Sequence, residues 1–242
     1  MSEKLIPATQ LAEYVYCSQA WYLKQHGVQV SKETRAIQAE ANAWHETQGR
    51  SLATGDSYRW AAYAAVLLAV VLFIFCWLGW SRMSIVLMLA STLVFLGVLL
   101  FFLAHRARSK TGIPAGEIFY QDLIGQPFQA EVLRSAQWGI SGKPDCLIRT
   151  PEGVVPVELK KSKRPPARGE VYPNHSVPYG LVIYAGQQVR RVEYTEASRR
   201  WLAQVIEEVR RARTLPAVMR NHRISGRCSG CGLRPHCDQS LI

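Results

Sequence analysis

Between residues 60 and 104 the chain carries one charged side chain, Arg82. Two apolar runs make up this block: residues 60–80 (WAAYAAVLLAVVLFIFCWLGW) and residues 83–104 (MSIVLMLASTLVFLGVLLFFLA), parted only by Ser81 and Arg82. Each is about 21 residues, roughly 31 Å as a helix, enough to cross a hydrocarbon core of about 30 Å. Trp60, Trp77 and Trp80 lie near the run ends, where indole rings favour the headgroup region. The block is internal and too long for a signal peptide. Its short connection predicts a helical hairpin, with both flanking segments on one side. Arg59 flanks one end and Arg106, Arg108 and Lys110 the other, so positive-inside reasoning puts both termini in the cytoplasm. The opposing reading is a buried hairpin, but a chain of 242 residues has too little other mass to cover two such helices. The expected organisation is therefore an N-terminal helical part (residues 1–58), a two-pass transmembrane hairpin (59–106), and a core with a cysteine-rich end (107–242).

Lys and Arg number 29 against 18 Asp and Glu, a net charge of +11, almost none of it in the apolar block. Such a balance points to acidic partners, nucleic acid or anionic membrane lipid. The 48% hydrophobic content excludes intrinsic disorder.

Around the hairpin the patterning predicts an α/β fold. A helix is expected over residues 9–26, capped by Thr9 and ended by Gly27, with Cys17 on it. A second is expected over 31–48, with Ile37, Ala41, Trp44 and His45 on one face. Strands are expected over 117–122, 131–134, 145–149, 154–161, 181–184 and 189–194, with turns at 138–144 and 151–153. Residues 163–178 hold four prolines, which excludes a long helix there. A last helix, 195–213, turns Trp201, Leu202, Val205, Ile206 and Val209 inward and carries Arg199, Arg200, Arg210, Arg211 and Arg213 outside.

Two groups of residues carry chemistry. Glu158 and Lys160 are two apart on a strand and so share a face, and the turn at 151–153 brings Asp145 beside them. Paired carboxylates offer a hard oxygen site for Mg²⁺ or Mn²⁺, and an adjacent ammonium orients or helps deprotonate water, the equipment for hydrolysing a phosphodiester. His45 can add an imidazole to the same ion. Near the C-terminus, Cys228-x₂-Cys231-x₅-Cys237 gives three thiols in ten residues. Cys17 is the candidate fourth ligand, and His222 or His236 could replace it in a zinc site. Four thiolates suit a [4Fe–4S] cluster or structural zinc. Cys76 and Cys146 read as packing residues.

In order, Tyr16-Cys17, His45, Gly142-Lys143-Pro144-Asp145, Pro156-Val157-Glu158-Leu159-Lys160 and the C-terminal cysteines resemble the RecB-like iron–sulfur nucleases of the PD-(D/E)XK superfamily. The small CRISPR-associated exonucleases are the nearest likeness. It covers nearly the whole chain except the hairpin, which looks like an insertion. The resemblance implies an α/β core with a mixed sheet flanked by helices. His45, Asp145, Glu158 and the Leu159 carbonyl would hold Mg²⁺ or Mn²⁺, and Lys160 would position the attacking water. Cys17, Cys228, Cys231 and Cys237 would hold a [4Fe–4S] cluster. It further implies cleavage of single-stranded DNA, often from an end, and partners in CRISPR adaptation or defence. The sequence departs from the family after Lys163, where a helix bearing Gln-x-x-x-Tyr is usual; Tyr172 and Tyr179 are present outside that motif.

Overall fold

A computed structural model describes residues 5–78, 83–114, 116–123, 131–162, 179–185 and 187–242. Among them the elements run β1 (Ile6–Pro7), α1 (Ala8–Tyr16), α2 (Ser18–Gln25), α3 (Lys32–Trp77), α4 (Met83–Ser109), β2 (Glu117–Gln121), β3 (Leu133–Ser135), β4 (Ile140–Gly142), β5 (Cys146–Thr150), β6 (Gly153–Lys160), β7 (Tyr179–Tyr184), β8 (Val189–Glu193), α5 (Glu196–Ala212), α6 (Ser225–Ser229) and a 3-10 turn at Arg234–His236. The class is mixed α/β, as the patterning predicts. The connection 79–82, with Trp80, and the proline-rich stretch 163–178, with Tyr172, lie outside the described residues.

The larger sheet has the order β2-β5-β6-β7-β8, antiparallel throughout except for the parallel pair β6–β7. One face, carrying Cys146, Ile148, Val155, Val157, Leu159, Leu181 and Ile183, is buried against Leu52 and Trp44 of α3. A smaller sheet, β1-β4-β3, uses residues 140–142, which the sequence reading assigns to a turn. Pairing with β1, from the far end of the chain, draws this segment into a strand; no local signal encodes that contact. A second core lies beneath α5, where Leu202, Val205, Ile206 and Val209 meet Ile6, Leu11, Trp21 and Ile140. The inward residues expected of α5 are borne out, and Thr195 caps the helix by accepting the Ser198 amide. Its arginines are not simply solvated: Arg210 donates to the Trp138 carbonyl and Arg213 to Gln10.

The expected N-terminal helix is broken in two. Cys17 is extended (φ −162°, ψ 109°), closing α1 and opening α2. The cause is Asn221, whose side-chain amide inserts into the helical ladder. Its Oδ1 accepts the Ser18 amide at 3.1 Å and its Nδ2 donates to the Tyr14 carbonyl at 2.9 Å, replacing the direct Ser18–Tyr14 bond of a continuous helix. Arg227 takes the Tyr16 carbonyl at 2.7 Å. Cys17 is thus placed between two helices rather than on one. Thr9 does not cap; Pro7 occupies the N-cap and Thr9 falls in the first turn. Gly27 does end the run, at φ 82°.

A second departure is the length of α3. The helix expected to stop at Gln48 continues without interruption to Trp77, about 69 Å for its 46 residues. Gly49 and Gly55, beyond that expected end, are buried positions within the helix; a β-carbon at Gly55 would already touch the Ala104 carbonyl and Ala107 at 3.4 Å. Thr47, Ser51, Thr54 and Ser57 turn their hydroxyls back onto preceding carbonyls of the same helix. Ile37, expected on the packed face, is exposed; burial begins near Trp44.

Helices α3 and α4 pack through small residues at heptad spacing: Gly55, Ala62 and Ala69 on one, Ala90, Gly97 and Ala104 on the other. The outward faces carry large apolar side chains, with Trp60 74% and Phe95 72% exposed. Both helices are long and apolar enough to cross a membrane, and little of either apolar stretch is covered by the protein.

Candidate metal site and thiol cluster

Strand β6 turns Val155, Val157 and Leu159 into the core, which leaves Glu158 and Lys160 together on the other face. Lys160 Nζ contacts Glu158 Oε1 at 2.6 Å. Because Lys160 presents its carbonyl to the Ala185 amide on the β7 side, the Leu159 peptide edge faces the opposite neighbour, β5. There β5 has just begun, and Asp145 stands where the ladder gives out. Its Oδ2 accepts the Leu159 amide at 2.6 Å, and its Oδ1 lies 3.6 Å from His45 Nδ1, delivered by α3. The five residues singled out by sequence are brought to one place.

The electrostatics follow from burial. Asp145, only 18% exposed, is pushed up to about 7, first by desolvation and then by the Glu158 charge, with the Leu159 amide and Lys160 pulling the other way. Desolvation chiefly holds His45 below its ordinary value, so the ring is neutral near pH 7. Burial alone would lower Lys160, but the Glu158 charge and hydrogen bond outweigh it; the net shift is upward and the group stays an ammonium. Two carboxylates, the more buried of them held well above the usual carboxylate range by desolvation, beside a neutral imidazole are donor types that a hard divalent cation takes.

Sequence reasoning missed Asp122. At the end of β2, its amide donates to the Asp145 carbonyl at 2.9 Å, its carboxylate meets Lys143 at 3.2 Å, and its charge adds to the upward push on Asp145. Its position after the apolar alternation of β2 was the one local signal. Tyr179 opens β7, stacked under Arg191 at 3.6 Å, and does not enter this site.

Separately from this site, Cys17, Cys228, Cys231 and Cys237 all line one cavity. All six cysteines are free thiols, and Cys146 is fully buried, in keeping with a packing role. Burial raises the Cys17 thiol, and the Cys231 and Cys237 sulfurs add to this, while the Ala20 and Gln19 amides donate toward it. His222 shares the cavity; His236, the other imidazole considered, is not among its lining residues. Arg220, Arg227 and Arg234 complete the wall, and Arg220 Nε is buried without a hydrogen-bond partner among the described residues. Four thiols facing one space, with cations around them, fit a thiolate-held metal centre. Even so, no three His, Cys, Asp or Glu side chains among the described residues, here or around Asp145, converge as a finished ligand set.

The two ends of the chain meet at this cavity. Ser18 Oγ donates to the Met219 carbonyl at 2.5 Å and Gln19 to Asp238 at 3.2 Å, across about two hundred residues. The Ser31 amide donates to the Gly232 carbonyl at 2.8 Å, and a β-carbon at Gly232 would collide with Thr34. Helix α3 therefore touches the cysteine loop at its start, carries His45 in its first third, and ends in the apolar hairpin. No protein-family model matches the chain, and no curated protein matches it significantly.

Proposed function

We propose that the protein is a membrane-tethered, metal-dependent DNA nuclease of the PD-(D/E)XK type, with a thiolate-held centre clamping its two termini. The observation that carries this is the convergence of His45, Asp145, Glu158 and Lys160 around the Leu159 peptide, from three separate elements. When bound by His45, Asp145, Glu158 and the Leu159 carbonyl, Mg²⁺ or Mn²⁺ supplies a Lewis acid for the scissile phosphate. Lys160, kept cationic by Glu158, donates to the attacking water and orients it. The neutral His45 offers a lone pair, and the Leu159 amide holds Asp145 in place. The net charge of +11 suits a polyanionic substrate, single-stranded DNA in the first instance. Cys17, Cys228, Cys231 and Cys237 hold a [4Fe–4S] cluster, with zinc as the alternative. The hairpin spans the cytoplasmic membrane twice, both termini and the nuclease domain being cytoplasmic, and defence or CRISPR adaptation proteins are the expected partners. The test is Mn²⁺-dependent cleavage of labelled single-stranded DNA by full-length protein purified anaerobically in detergent. Equal cleavage by Glu158→Ala and Lys160→Ala would sink the mechanism.

The absence of a finished ligand set among the described residues favours one other reading, a catalytically silent, membrane-anchored nucleic-acid-binding or scaffold protein. Salt-sensitive DNA binding with no cleavage in either Mg²⁺ or Mn²⁺ would establish it.

A further inference from the structure

Where the apolar hairpin meets the rest of the protein, a cavity of about 600 Å³ opens between α3, α4 and the start of β2. Its walls are of two kinds. Tyr63 and Phe101 lie inside the apolar runs, whereas Arg59, His105 and Arg108 lie just beyond them. Arg108 is anchored by Nη2, which donates to the Pro114 carbonyl at 2.8 Å and the Gly116 carbonyl at 2.6 Å, while its Nε is buried with no hydrogen-bond partner among the described residues. The acids nearby offset these cations only in part: Glu117 is engaged by Arg149 at 2.8 Å, and the single carboxylate of Asp56 serves both guanidiniums, pairing with Arg59 at 3.9 Å, beyond hydrogen-bond distance, and acting through its charge on Arg108. The unsatisfied Arg108 Nε is a costly buried donor, and with the half-exposed Arg59 lining the same space the two present more positive charge than Asp56 offsets, which an anion placed between them would relieve.

We propose that this cavity binds the phosphate of an anionic phospholipid, with Arg59 and Arg108 on the headgroup and Tyr63 and Phe101 against the first carbons of the acyl chains. Its volume is in the range of small-molecule sites, and its apolar wall lies at the depth where a lipid's glycerol and upper chain would sit if the runs span the bilayer. The assignment rests on the membrane-spanning reading of the hairpin. Because α3 also carries His45, about 22 Å along the helix from Trp60, a lipid wedged between α3 and α4 would brace the helix that supplies the candidate metal site.

The test is native mass spectrometry of the full-length protein released from micelles containing phosphatidylglycerol or phosphatidylcholine with matched chains. The wild type should retain phosphatidylglycerol about fivefold better, and Arg59→Gln should bring retention down to the phosphatidylcholine level with an unchanged melting temperature. Arg108→Gln should do the same but also removes the two carbonyl contacts, so Arg59→Gln is the deciding variant. Equal retention of the two lipids by the wild type, or undiminished preference in Arg59→Gln, would overturn the proposal. So would displacement of phosphatidylglycerol by millimolar inorganic phosphate, which would assign the site to a free anion. Recovery of the whole protein in the carbonate-soluble fraction would instead overturn the membrane-spanning reading on which it rests.

Discussion

Asp145 and Leu159 are joined by a 2.6 Å hydrogen bond in which the backbone amide donates to the carboxylate. That bond lets a side chain stand in for a missing rung of the β5–β6 ladder, and it aims the remaining carboxylate oxygen at His45, 3.6 Å away. One residue thus finishes a sheet and begins a site.

The same burial makes Asp145 a pH-dependent liability. Its folded value of about 7 lies above the ordinary 3.8, so between these limits the folded protein keeps a proton that the unfolded chain has released. Stability contributed by that proton is present at the acid end and lost as pH rises through the window, up to about 4 kcal/mol for a shift of this size. Metal-free protein should melt at a lower temperature at pH 8 than at pH 5, Asp145→Asn should flatten that slope, and Mn²⁺ should restore stability at pH 8. Parallel melting curves for wild type and variant across this range would contradict the assignment.

On the proposed mechanism Lys160 would serve as a charged donor rather than a base, because its ammonium lies 2.6 Å from the Glu158 carboxylate. Lys160→Met should lower single-turnover cleavage about 10²-fold or more while leaving the affinity for DNA within a factor of two or three. A comparable loss of DNA affinity would make the residue a binding contact instead.

Cys17 and Cys146 should behave oppositely. Cys17→Ser should remove the broad visible absorption of anaerobically purified protein, or the bound zinc, and loosen the Tyr14–Asn221 junction, seen as faster proteolysis near both termini. Cys146, with no exposed surface and its thiol pushed up to about 12, should resist alkylation in the native state. Cys146→Ser should keep the chromophore but cost about 1–3 kcal/mol for a buried hydroxyl. Retention of all metal in Cys17→Ser would remove it from the ligand set.

Gly97 sits in the helix–helix seam, where a β-carbon would come within 2.9 Å of Val66. Gly97→Leu should splay α3 from α4, lowering the yield of detergent-extracted protein and exposing the hairpin to protease. Gly226→Ala, where nothing lies within 4 Å, serves as the neutral control. Indistinguishable behaviour of the two variants would show that the seam contributes little.

Much of this was legible from local pattern. Alternation across residues 153–160 gave β6 and placed Glu158 beside Lys160, because a two-residue period needs no tertiary information. The helical period of residues 196–212 gave α5 and its buried stripe. Elsewhere the local signal misled. The helix expected to end at Gln48 runs on past Gly55, which becomes a point of close approach once α4 is alongside. Cys17 looks helical until Asn221, two hundred residues later, cuts the ladder. Asp122 looks like an ordinary strand end until β2 pairs with β5 and sets it beside Asp145.

The sequence by itself determined the two long apolar helices, the strand period that pairs Glu158 with Lys160, and the cysteine spacing, since each is written in residues a few positions apart. Only the tertiary structure decided that a single helix runs from the cysteine loop past His45 into the apolar hairpin, and that Cys17 faces the C-terminal thiols. Those outcomes depend on side chains from distant segments competing with local hydrogen bonds and filling local voids, and no short window of sequence contains both competitors.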